Sequence, residues 1–161
     1  MTSLSVFDLL TLHDFGAGLP AGWLHRLARH ARPVYRGTGH RMFREEQPAD
    51  RFWLLHSGNV TVDLYVPGRG DVVIERLGAG AVLGWSWLLP PHRWRFGATV
   101  ADHLRALEFE SAPVRALIAE DADLGREINA RILSVVSGRL QAARHRLADL
   151  YAYPTDAAGS R

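Results

Sequence analysis

Leu77-Gly-Ala-Gly80-Ala-Val-Leu-Gly84-Trp-Ser-Trp-Leu-Leu-Pro-Pro-His-Arg93-Trp-Arg95-Phe-Gly-Ala-Thr99-Val100 is the stretch whose reading decides the fold. Its order is strand, glycine turn, one turn of helix, arginine-bearing loop, strand. Such an order gathers free backbone N–H groups and guanidinium groups around one small concavity. A concavity of that kind suits an anionic ligand such as a phosphate.

The flanking texture agrees with a sheet. From Pro33 to Phe109 short apolar runs alternate with polar residues and are cut by glycine or proline. Val60, Val62, Leu64 and Val66 alternate, Pro67-Gly68-Arg69-Gly70 turns the chain, and Val72 and Ile74 share one face of the next run. This spacing predicts an antiparallel β-sandwich or roll. Helices are expected on both sides of it. Residues 6–31 carry a helical pattern with a break at Gly16-Ala-Gly18, and Pro20 stands near the start of a second helix. After Phe109, Ser111-Ala-Pro113 opens a short helix. Asp121 or Asp123 can cap a long one running from Leu124 to Tyr151, which Pro154 closes. The expected division is N-terminal helices at 1–31, a β-roll at 32–110, C-terminal helices at 111–153 and a loose tail at 154–161.

Composition narrows the class. The 161 residues suit one domain with appended helices, and 47% apolar with 22% charged residues is an ordinary globular balance. There is no cysteine, which excludes disulfides, thiolate metal sites and thiol catalysis. No apolar run approaches membrane-spanning length and no leader pattern opens the chain, so a cytoplasmic protein is expected. The formal net charge of +2 gives no strong nucleic-acid signal. All of its basic residues counted in that charge are arginine.

Taken in order, Gly39, Glu46-Gln-Pro-Ala-Asp50, Leu55-His-Ser-Gly58-Asn-Val-Thr-Val62, Leu77 to Gly84 and the long closing helix resemble the cyclic nucleotide-binding domain. That is the domain of the bacterial catabolite activator proteins and of protein kinase A regulatory subunits. The resemblance covers roughly residues 20–152. It implies an α+β fold, with an eight-stranded β-roll of jelly-roll type (a double-stranded β-helix) between N-terminal helices and a C-terminal helix pair. It also implies a phosphate-binding cassette at residues 84–99. The ligand site expected from it comprises Gly84, Trp85, Ser86, Trp87, Arg93, Arg95 and Thr99. A phosphate there would take N–H groups near Ser86 and Trp87 and an arginine fork.

Two positions depart from the pattern. Where the family places a ribose-binding glutamate after the glycine, this chain has Trp85. Loss of such a charged hydrogen bond costs about 1.5–3 kcal/mol, roughly ten- to a hundredfold in affinity. The phosphate arginine falls at Arg93, Trp94, Arg95 or Phe96, depending on which end of the cassette is aligned. Arg93 is preferred, then Arg95. The two share one face of a strand opposite Trp94 and Phe96, so they can equally lie at the surface beside an apolar pair. Trp85 and Trp87 can stack on a base or can simply fill the cassette.

Other chemistries find little support. His13, His25, His30, His40, His56, His92, His103 and His145 are scattered, with no pair at alternate positions of a strand, so no metal site is expected. No serine sits in a Gly-x-Ser-x-Gly elbow. No enzyme and no cofactor are expected; the expected ligand is a cyclic nucleotide, with cyclic AMP and cyclic GMP as the candidates, or another small phosphate. Leu133, Val136, Leu140, Ala143, Leu147 and Leu150 occupy a and d positions of a heptad and predict a homodimer through the long helix. Ser137-Gly138 interrupts that helix, and Arg131 or Arg139 could reach a ligand beneath it. No DNA-reading helix is expected after Pro154. The function read from the sequence is a stand-alone sensor of a small anionic ligand, signalling through its dimer helix to an unidentified protein partner. The alternative is a ligand-free interaction module of the same fold.

Overall fold

The computed structural model describes residues 3–152. Two short helices come first, α1 (Val6–Leu12) and α2 (Ala21–Ala28). Ser5 caps α1 reciprocally: its hydroxyl oxygen accepts from the Asp8 N–H at 3.1 Å, and the Asp8 carboxylate accepts from the Ser5 N–H at 3.0 Å. Leu10, Leu24 and Leu27 bury the apolar faces of the two helices. Ala31, expected to end the second helix, instead starts the first strand.

Six strands follow: β1 (Ala31–Arg36), β2 (Arg41–Phe43), β3 (Arg51–Val66), β4 (Gly70–Leu77), β5 (Val82–Leu83) and β6 (Gly97–Glu110). All pairings are antiparallel, in the order β1-β6-β3-β4, with β2 on β6 and β5 on β3. The resemblance implied eight strands. The difference lies in β3 and β6, of 16 and 14 residues, which run unbroken and pair along both halves of the roll. Register shifts at Leu55/Ser57, Ser57/Asn59 and Asn59/Val60 bend β3 over β6. Gly58 makes the bend possible. Its φ is +88° and a Cβ there would lie 2.1 Å from the His103 carbonyl oxygen.

The roll closes around stacked rings. Phe52 lies between Trp87 and Phe109, with centroids at 4.3 and 4.8 Å, and Phe43 lies on Trp94 at 3.8 Å. Against this core pack α3 (Ser111–Glu120) and the long α4 (Ala122–Ala152). Asp121 caps α4, accepting from the Leu124 N–H at 3.1 Å, and pairs with Arg26 of α2. The buried residues of α4 are Leu124, Gly125, Ile128 and Ile132, all in its first third. At 1.5 Å per residue the helix is about 46 Å long, and from Ala143 to Ala152 every residue is exposed. The helix-ending Pro154 and the tail lie outside the described residues.

Candidate functional site

The cassette begins where β5 ends. Gly84 has φ +96° and lies close against the Trp94 indole; a Cβ there would come within 2.5 Å of that ring. Residues 86–88 form a hydrogen-bonded turn rather than a helix, with the Leu88 N–H donating to the Trp85 carbonyl at 3.1 Å. The Trp87 side chain folds back into the roll. Its indole N–H donates to the Gly84 carbonyl at 3.1 Å while its ring stacks on Phe52. Arg115 of α3 donates to the Trp87 carbonyl at 2.9 Å and holds the turn from below. Two indoles thus occupy space inside the cassette, where the alternation along Trp94-Arg95-Phe96 forces a choice of which residues face inward.

The arginines take the other face. Arg93 and Arg95 are exposed, whereas Trp94 and Phe96 are buried. The Arg93 guanidinium donates to the Glu46 carbonyl at 2.7 Å and its backbone bridges to Pro48, which ties the loop to the 44–50 turn. A surface cavity of about 200 Å³ lies beside both arginines, bounded by Trp85, Leu89 and Pro91. The structure therefore brings Gly84, Trp85, Ser86 and Trp87 together and leaves Arg93 and Arg95 turned away from the roll interior. Thr99 is engaged elsewhere. Its hydroxyl oxygen accepts from Arg41 at 2.7 Å, and the same guanidinium forks onto the buried Asp63 carboxylate, one leg at 2.8 Å. Donating hydrogen bonds to the Asp63 carboxylate pushes the Arg41 pKa up.

A second cation reaches the cassette from α4. Arg139 places its guanidinium 5.3 Å from the centre of the Trp85 ring. It donates to the Val82 carbonyl at 2.6 Å and lies 3.3 Å from the Glu75 carboxylate of β4. The Arg139 and Glu75 side chains are only 14% and 13% exposed, so this is a largely desolvated pair. Burial pulls the Arg139 pKa down and the Glu75 charge opposes that fall. Arg131 has a different task, joining α4 to the Phe15 and Ala17 carbonyls at 2.7 Å each. Sequence patterning puts Arg139 on a polar helix face from which it, or Arg131, could reach a ligand. It gives no signal for Glu75, Arg41 or Asp63, whose partners lie on other elements. Among the described residues no cluster of three metal-ligating side chains occurs, and no helix is long and apolar enough to cross a membrane.

These features define a β-roll with a glycine-turn cassette and a long helix laid against it. A family model described as "Cyclic nucleotide-binding domain" matches residues 34–121, and the chain belongs to that family. A "CRP-like cAMP-activated global transcriptional regulator" from Mycobacterium tuberculosis is 26% identical over 143 residues, which is 89% of this chain and 62% of the relative. The chain thus spans less than two thirds of that regulator's length. The fold is also that of a "Putative Cyclic nucleotide-binding protein" from Geobacter metallireducens, at TM-score 0.75 and 24% identity over 87% of this chain and 99% of that one. A cAMP-binding acyltransferase from Mycobacterium smegmatis shares the fold at TM-score 0.68 and 21% identity, over 85% of this chain and 41% of that one.

Proposed function

We propose that this chain is a non-enzymatic, cytoplasmic regulatory module that acts as a homodimer through α4, with its cassette closed by its own side chains. The observation that carries this reading is the clamp of Arg139 on Trp85, Glu75 and the Val82 carbonyl. It joins α4 directly to the cassette. Trp87 and Trp94 fill the space behind it. The partner surface is the exposed stripe of α4. Leu133, Leu140, Leu147 and Leu150 are 68%, 50%, 56% and 75% exposed, which a second copy of the helix would cover.

A second reading is favoured by Arg139 itself. A buried guanidinium at the cassette mouth is a natural partner for a phosphate, so a cyclic nucleotide would enter by taking Arg139 from Glu75 and stacking on Trp85. Helix position would then follow ligand occupancy.

Thermal melting with millimolar cyclic AMP and cyclic GMP separates the two. A ligand at a hundred times its dissociation constant stabilises by about 2.7 kcal/mol. The closed cassette predicts no shift with either nucleotide. A shift that Arg139→Gln abolishes would establish the second reading, and a shift that only Arg93→Ala or Arg95→Ala abolishes would overturn both. Light scattering on the eluting protein tests the dimer.

A further inference from the structure

Three arginines converge on one buried carboxylate away from the Arg139 clamp. Glu108 of β6 is 5% exposed and lies in register between Arg32 of β1 and Trp53 of β3. One of its oxygens accepts from Arg32 Nε at 2.7 Å and from Arg51 Nη1 at 2.9 Å. The other accepts from the Trp53 indole N–H at 3.1 Å and faces Arg36 at 3.6 Å. Burial pushes the Glu108 carboxyl up, but the hydrogen bonds from Arg32 and Trp53 and the charge of Arg51 outweigh it and hold the group below its usual range. It is ionised, and it balances one guanidinium of the three. Around the two cavities beside this cluster four guanidinium groups, Arg29, Arg32, Arg36 and Arg51, face three carboxylates, Asp50, Glu108 and Glu110, which leaves one positive charge in excess for an anion to meet.

A cavity of about 270 Å³ opens beside this cluster. Phe43, Trp53 and Trp94 form one wall as a stack of near-parallel rings. Arg36, Arg51 and His40 stand on the rim. Asp50, the other carboxylate there, is exposed and in no ion pair among the described residues. A second cavity of about 260 Å³ shares Arg51 and Glu108 and adds Arg29, Arg32 and Glu110. Arg51 spends one amino group on Glu108, and its remaining donors are free to take an oxyanion as a fork.

We propose that this mouth of the roll binds the phosphate dianion of a small phosphorylated metabolite, held by Arg36 and Arg51 beside the Phe43–Trp94–Trp53 wall. The free donors of Arg51 beside Arg36 suit phosphate oxygens as a fork, and the cavity has room for a phosphate with a short carbon body. Trp94 joins the site to the rest of the molecule, since the same ring lies against Gly84 of the cassette.

Indole N–H resonances of the ¹⁵N-labelled full chain test the proposal. The Trp53 signal is assigned with Trp53→Phe. Inorganic phosphate is then titrated to about 20 mM near pH 7.5, where it is mainly dianionic, with sodium chloride holding ionic strength constant. The expected result is a saturable shift of the Trp53 signal, with affinity reduced about tenfold or more in Arg36→Gln and Arg51→Gln. Glycerol 3-phosphate is expected to bind at least as tightly. No shift, a shift that chloride reproduces, or equal affinity in both variants would overturn the site. Binding of inorganic phosphate but not of glycerol 3-phosphate would overturn the metabolite assignment. Should a glutamine variant not fold, Arg36→Lys and Arg51→Lys keep the charge and lose the fork, and unchanged affinity in both would overturn the proposal equally.

Discussion

Alanine in place of Gly84 should destabilise the fold through one identifiable ring. The backbone there has φ +96°, and placing an L side chain in that region costs about 1–2 kcal/mol. The new Cβ would also lie 2.5 and 2.6 Å from two carbons of Trp94. Any movement of that ring disturbs its stack, because Phe43 lies on it at 3.8 Å and Trp53 at 6.1 Å. Overpacking of this kind costs about 1–3 kcal/mol. Gly84→Ala is therefore expected to lose about 2–5 kcal/mol in urea unfolding, with an unchanged denaturant slope. Trp94→Ala alone is expected to lose about 3–5 kcal/mol. In the double variant the collision disappears, and only the backbone cost of Gly84→Ala adds to the loss of the ring. The two losses should then fall short of additivity by about 1–3 kcal/mol. Additivity within about 0.5 kcal/mol would refute the claim that Trp94 occupies the cassette beneath Gly84.

Arg139→Gln should cost about 2–3 kcal/mol by leaving Glu75 largely buried and unpaired, and it should shift the emission of Trp85; unchanged stability and emission would deny the clamp. Leu140→Asp with Leu147→Asp should convert a dimer to a monomer by light scattering while the melting of the roll is retained, since both side chains are exposed in the single chain. His13 is held below its ordinary value of 6.5 mainly by burial and then by His56, itself lowered by burial. Both are neutral in the fold, and the unfolded chain takes up protons first. Stability is then complete above about pH 6.5 and declines as pH falls below it. His13→Asn should flatten that slope in pH-dependent urea midpoints.

Much of the fold is legible in the sequence because periodicity reports burial. The alternation at Val60, Val62 and Leu64, the capping Asp121 and the pairing of Ser111 with Pro113 all place elements close to where they stand. The strand count is not legible. Whether β3 stops or bends at Gly58 depends on the His103 carbonyl across the sheet, which no local pattern announces. In the cassette the turn at Gly84 follows from spacing, whereas the sequence leaves open whether Trp85 and Trp87 stack on a ligand or fill the space. Which face of Arg93-Trp94-Arg95-Phe96 turns inward is left even by the pattern, and the ring stack with Phe43 and Trp53 decides it. The buried pairs Arg139–Glu75 and Arg41–Asp63 are invisible for the same reason, each joining residues far apart in the chain.

Hydrogen exchange of the Trp87 indole proton is the most direct probe of a cassette filled from within. That proton is bonded to the Gly84 carbonyl in a side chain with no exposed surface. It should exchange more slowly than the indole proton of Trp85, and millimolar cyclic AMP should leave its rate and chemical shift unchanged. Exchange as fast as in an open indole, or a displacement of the signal by the nucleotide, would mean that the space belongs to a ligand.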